Sequence, residues 1–359
     1  MQKILVPKQF KNLLNSKIIQ NGYRPAYLPD QKPQTILGHA FDLAGAILMN
    51  EPFTGKLMAQ LPNLKVASRF GVGYDNVDLN YATQHGIWVT NTPGANAIAV
   101  AENTVADLLI LSKHLYSTSK EMREGTGTGF ATHPRRLLAG KTVGIVGFGH
   151  IARQVIKMLS GFNVRILIWN RHRRTSRYGT FVDWSRLFKQ SDYVSLHIPA
   201  TPQTYHCVNA KTFRIMKKSA NLVNFGRGDL VNQADLVQAL KTGEIAGAAL
   251  DVFEKEPLPM TSQLRKLKNV FLTPHCAGAT VESQTKMANT AADDVMRALN
   301  GQKPRYPVNQ PKWIFENFSK KRMKILIFIL FILKLILNLV SVFNPSWHEL
   351  MIVLVILGS

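Results

Sequence analysis

Residues 142–152 read Thr142-Val-Gly-Ile-Val-Gly147-Phe-Gly149-His150-Ile151-Ala152. A largely apolar run that ends in glycine predicts a buried strand, and residues 151–160 fit the helix after it. Gly147-x-Gly149-x-x-Ala152 falls on the turn between the two. The first glycine permits a tight turn, and the second lets backbone approach a pyrophosphate resting on the helix N-terminus. The third position needs a small residue against the strand. Such a motif is weak alone. Between a strand and a helix, with a second strand at 164–169, it reads as a dinucleotide fingerprint. Cofactor contacts are expected at Gly147, Gly149, His150 and Ile151.

Beyond the fingerprint the pattern repeats. Strands are predicted at 193–197, 220–224, 246–250 and 270–273, with helices at 233–241 and 281–300, a doubly wound α/β unit. Residues 95–116 are rich in Ala and Leu, follow Pro93-Gly94, and predict one long helix that also connects two lobes. Before it, strands at 3–6, 46–49, 65–68 and 87–90 alternate with helices at 54–60 and 76–85, so a second parallel sheet is expected.

The chain has 359 residues, enough for about two domains. It is 46% apolar, which excludes wholesale disorder and a collagen-like chain. Two cysteines cannot make a disulfide framework, so a reducing, cytoplasmic setting is expected. The first residues lack the apolar core of a secretory signal. Lys plus Arg is 44 against 22 Asp plus Glu, a net charge of +22. That excess admits nucleic acid, an anionic membrane or anionic small ligands. The basic clusters at 217–218 and 265–268 are short, scattered and lack interleaved aromatics, so no specific nucleic acid is expected. No His, Cys, Asp or Glu cluster has metal-ligand spacing.

The strand at 164–169 runs into Asn170-Arg171-His172-Arg173-Arg174. A carboxylate here would hold the ribose hydroxyl of NAD, and none is present. Asn170, Arg171 and Arg174 suit a 2′-phosphate instead, because guanidinium binds phosphate through paired charge-assisted bonds. NADP is therefore favoured, with NAD left open.

Five further segments occur in a fixed order around the fingerprint: Gly71-Val-Gly73-Tyr-Asp75-Asn-Val-Asp78, Asn91-Thr-Pro-Gly94, Asn224-Phe-Gly-Arg227-Gly228, Asp251-Val-Phe-Glu-Lys-Glu256-Pro257 and Thr273-Pro-His275. Together they resemble the D-isomer-specific 2-hydroxyacid dehydrogenase family, which includes glyoxylate/hydroxypyruvate reductases and phosphoglycerate dehydrogenases. The resemblance covers residues 1 to about 310. It implies hydride transfer between NAD(P) and a small 2-oxo acid, with a glyoxylate/hydroxypyruvate-type reductase favoured. A nucleotide-sensing, corepressor-like binding protein on the same scaffold is the alternative. The resemblance makes Arg227 the clamp on the substrate carboxylate, helped by the amides of Val72 and Gly73. It makes His275 the general acid and Glu256, rather than Glu254, its carboxylate partner. Asp251, Thr104, Pro199 and Gly278 become further cofactor contacts. It also implies a Rossmann NAD(P)-binding domain, 96–283, inserted into a flavodoxin-like substrate domain, 1–95 and 284–310. Hinges would lie near 93–96 and 278–282, with a homodimer formed through the cofactor domain.

Residues 311–359 depart from that pattern. A basic stretch ending at Lys324 precedes 325–343, where Lys334, Asn338 and Ser341 alone are polar. As a helix this segment would span roughly 28 Å, the thickness of a bilayer core. Three readings stay open: a membrane anchor, a buried or interfacial helix, or an extension without catalytic role.

Overall fold

The computed structural model describes residues 1–126, 134–172 and 174–311. Among them twelve strands form two sheets, every pairing parallel. The first sheet holds β1 (Lys3–Leu5), β2 (Arg24–Ala26), β3 (Leu43–Leu48), β4 (Val66–Arg69) and β5 (Trp88–Thr90), in the order β2-β1-β3-β4-β5. The second holds β6 (Thr142–Val146), β7 (Arg165–Trp169), β8 (Thr180–Phe181), β9 (Tyr193–Leu196), β10 (Asn221–Asn224), β11 (Gly247–Leu250) and β12 (Val270–Leu272). Its order is β12-β11-β10-β9-β6-β7-β8. These are the flavodoxin-like and Rossmann orders, and in both the ligand crevice lies outside the carboxyl ends of the strands.

The helices of the first half are α1 (Lys11–Gln20), α2 (Pro33–Ala40), α3 (Gly55–Met58) and α4 (Leu79–Gln84). Then come α5 (Ala97–Lys113), α6 (Leu115–Arg123), α7 (His150–Leu159), α8 (Trp184–Gln190), α9 (Ala210–Ile215) and α10 (Gln233–Thr242). The last, α11 (Val281–Leu299), returns to the first sheet and packs on β3, β4 and α1. Every residue of β3 is buried, as a central strand covered on both faces requires. Asn309 seals the return: its Oδ1 accepts the Val89 amide at 2.7 Å, and its Nδ2 donates to the Ile87 carbonyl at 2.9 Å.

The long helix expected over 95–116 is two helices. His114 takes a left-handed backbone (φ 52) and ends α5, and α6 starts afresh at Leu115. No helix among the described residues is long and apolar enough to cross a membrane. The candidate segment 325–343 lies outside them.

Candidate active site

The strand ends place the chemistry. Arg69 ends β4, Arg227 follows β10, Asp251 follows β11, and His275 follows β12. Arg69, Arg227 and His275 meet around a cleft of about 800 Å³ whose walls also include Asn50, Asp75 and Glu256, and Asp251 lies buried behind it.

His275 sits in a braced turn. Its amide donates to the Asp251 carbonyl at 2.8 Å, and its backbone is left-handed (φ 52), costly for a residue with a Cβ. The Asp251 carboxylate supplies the brace. It accepts the Thr273 hydroxyl at 2.6 Å, the Cys276 amide at 2.9 Å and the Ala277 amide at 3.0 Å. Nδ1 of His275 lies 2.7 Å from Oε2 of Glu256, whose other oxygen accepts the Phe253 amide at 3.0 Å. Burial pushes the Glu256 carboxyl up, but those two bonds outweigh it and hold the group below the usual range. With Nδ1 engaged, Nε2 is the ring nitrogen left for a ligand; among the described residues it has no protein partner. Glu254 turns away, accepting the Gln233 amide at 2.9 Å and lying 2.8 Å from His206 Nε2.

Arg227 stands across the cleft. Its Nη1 donates to the Gly226 carbonyl at 3.0 Å, and its remaining edge makes only a long contact, 3.5 Å, with Asp75. Gly73 lies against it so closely that a Cβ there would stand 1.6 Å from Nη2. Among the described residues, neither the Val72 nor the Gly73 amide donates to a protein acceptor. The loop carrying them is tied down from below. The buried Arg69 guanidinium donates Nε to the Gly73 carbonyl at 2.9 Å and Nη1 to the carbonyls of Leu48, at 2.9 Å, and Met49. Burial pulls that guanidinium down to about 10, against the counter-charge of Asp75. Two amides without a protein acceptor thus lie beside the Arg227 guanidinium, and the cleft that Arg227 lines also holds an imidazole–carboxylate pair. The first set can hold an anion, and the second can carry a proton.

The fingerprint forms the expected turn. Gly147 has φ +110, and a Cβ on it would lie 2.5 Å from the His197 carbonyl oxygen. Gly149 caps α7 with open space above it and no side-chain cap, so the first amides of a ten-residue helix are left for a phosphate. These features fit a dinucleotide. His150 lies against Gly94, and Ile151 packs on the core of this sheet. Asn170 donates to the His172 carbonyl at 2.7 Å, and Arg171 and Arg174 are exposed just beyond β7. Arg173 lies outside the described residues. Pro199 is exposed, its carbonyl accepting the Thr204 hydroxyl, and Gly278 sits against Asn96 where the two connecting segments cross.

Two expected cofactor residues face inward instead. Thr104 is fully buried, its hydroxyl bonded to the Val100 carbonyl one turn back on α5. Asp251 is 2% exposed, and both its oxygens hold residues 273–277. Arg69 and Asp75 also line the cleft, though the sequence assigned neither a site role. An arginine closing an apolar strand was the available signal for the first, and the second is paired only through space.

Comparison with known proteins agrees with this geometry. The model of the D-isomer specific 2-hydroxyacid dehydrogenase NAD binding domain matches residues 105–277. A glyoxylate reductase from Thermofilum pendens is 42% identical over 273 residues, 73% of this chain and 80% of the relative. An NADPH-dependent glyoxylate/hydroxypyruvate reductase from Sinorhizobium meliloti, solved with citrate, superposes with a TM-score of 0.77. It shares 30% identity and covers 86% of this chain and 98% of that one. An NAD-dependent formate dehydrogenase from Staphylococcus aureus, solved with NAD, gives a TM-score of 0.79 at 29% identity over 86% and 100%. The chain therefore belongs to the D-isomer-specific 2-hydroxyacid dehydrogenase family, NAD(P)-dependent oxidoreductases of 2-hydroxy acids.

Proposed function

We propose that this enzyme reduces glyoxylate, hydroxypyruvate or a 2-oxo acid of similar size, with NADPH preferred. The observation that carries the reading is the opposition of the Arg227–Gly73 corner and the His275–Glu256 pair across one cleft. A 2-oxo acid has a carboxylate next to its carbonyl. The Arg227 guanidinium and the Val72 and Gly73 amides bind the carboxylate, and Arg227 also polarises the carbonyl. Nε2 of protonated His275 donates its proton to the carbonyl oxygen. Glu256 fixes the ring and offsets the imidazolium charge through Nδ1. The nicotinamide, when bound, supplies the hydride.

The NADPH preference rests on the end of β7, where Asn170, Arg171 and Arg174 stand and no carboxylate does. The Sinorhizobium relative is NADPH-dependent. Residues 1–95 with 284–310 serve as the substrate unit and 96–283 as the cofactor unit. Closure about 93–96 and 278–282 would exclude water from the cleft. The exposed Leu115, Tyr116, Met122 and Leu137 support a homodimer formed through the cofactor unit.

Supplying the purified protein with NADPH or NADH and glyoxylate, hydroxypyruvate, pyruvate or bulkier 2-oxo acids tests the reading. Oxidation with the small acids and NADPH is expected, and silence with all of them refutes it. An Arg171→Ala, Arg174→Ala double variant should lose the NADPH preference. If the preference persists, the cofactor assignment is wrong.

A further inference from the structure

Asp107 is 4% exposed. It lies one turn of α5 from Asn103, whose Nδ2 donates to the Ala277 carbonyl at 3.0 Å, and one turn from Leu111, which lies against Gly247 of β11. It therefore shares the helix face turned to that strand and to the 273–277 turn. Its Oδ2 is buried and, among the described residues, has no hydrogen-bond partner. An isolated ionised carboxylate in that position would be costly. Its charged neighbour is Asp251, which sits behind the His275 turn and is itself 2% exposed. Two buried carboxyls in electrostatic contact cannot both ionise cheaply, so one of them takes a proton. The hydrogen bonds decide which. Asp251 accepts three hydrogen bonds, from Thr273, Cys276 and Ala277. Oδ2 of Asp107 receives none.

We propose that Asp107 is a positioning residue: its neutral carboxyl, packed behind Asp251, lets Asp251 keep the full charge with which it holds residues 273–277, and so His275. The inference rests on His275 as the proton donor of the reaction. Burial first, and the Asp251 charge second, raise the Asp107 carboxyl to about 7, so the arrangement has an upper pH limit. Above it a second negative charge opposes Asp251, and the grip on the turn weakens. The other ionisable groups nearby do not relieve this. β10 and β11 carry none, and His150, Arg153 and Lys157 of α7 are exposed. On α5 itself Glu102 is exposed and Lys113 lies almost two turns away, with α6 beyond it. Burial first, and the Asp251 carboxylate second, push the nearby Cys276 thiol upward.

The test needs no turnover. Hydrogen exchange of the peptide spanning 273–278, read by mass spectrometry as protection relative to intrinsic rates, is followed from below pH 7 to above it in the full chain. Wild type is expected to lose about tenfold in protection across that range, while the peptide of β11 stays constant. In Asp107→Asn, uncharged throughout and of the same shape, protection of 273–278 should be independent of pH. In parallel, the rate of 2-oxo acid reduction should fall more steeply with rising pH in wild type than in Asp107→Asn. Wild-type protection that does not change through pH 7 overturns the proposal even if the variant fails to fold, and so does an equal loss in the variant. A protein that reduces no 2-oxo acid yet shows the exchange pattern keeps the Asp107 coupling and refutes only the catalytic reading.

Discussion

At the scale of single residues, Gly73 and Arg227 form the proposed substrate corner. A Cβ on Gly73 would stand 1.6 Å from Nη2 and 2.8 Å from Cζ of Arg227, so the side chain must swing away. Gly73→Ala is expected to raise the KM for the oxo acid by roughly tenfold or more, since misplacing a clamp by an ångström is costly. Cofactor affinity, read by nicotinamide fluorescence, should not change. His275→Ala should lower turnover by about two to four orders of magnitude, the usual contribution of a positioned acid. Asp107 gives a stability prediction with a definite sign. Its folded value, about 7, lies above the ordinary 3.8, so the folded state binds the extra proton between those limits. Stability from this group is full at low pH and is lost as pH rises toward 7, by at most roughly 4 kcal/mol. Urea unfolding of Asp107→Asn should show a flatter pH dependence, with a gain over wild type above pH 7. Arg227, Glu256 and His275 were expected together from the resemblance of their segments to the family, and the fold brings all three to one cleft. Asp107 was not legible in the sequence, because an acid on a helix is ordinary until the fold turns it inward against Asp251.

The elements explain how the turn carrying His275 is held in place. The Phe253–Glu254 peptide lies directly on Gly228, the residue after Arg227: a Cβ there would be 1.9 Å from the Phe253 carbonyl carbon. That contact joins the segment after β10 to the one after β11, and Glu256 then reaches His275 after β12. Backbone cannot yield as a side-chain tip can. Gly228→Ala should therefore cost on the order of 3 kcal/mol or prevent folding, measurable as a lowered Tm. Most strands were legible from apolar runs, and β2 and β8 were not. Arg24-Pro25-Ala26 and Thr180–Phe181 are short edge strands, where proline and polar residues are tolerated and no apolar run develops. The break at His114 was also hidden, because neither Gly nor Pro marks it.

Across the whole molecule, two parallel sheets turn the carboxyl ends of their strands toward one cleft. This was legible from strand–helix alternation and the fingerprint. The return of α11 to the first sheet follows from packing on β3 and β4 rather than from any local signal. The net charge of +22 acts at this scale too. Oxo acids and NADPH are anions, so a positive field speeds their capture, and salt screens it. The kcat/KM for the oxo acid should fall as ionic strength rises while kcat holds; an unchanged kcat/KM would leave the charge without a part in catalysis. The most direct test of the central claim is the loss of reduced nicotinamide absorbance when glyoxylate is added to the enzyme with NADPH, set beside the His275→Ala variant. Rapid loss with wild type, and almost none with a variant that still binds cofactor, is the predicted result. No loss with wild type, or equal rates in the two proteins, would contradict it.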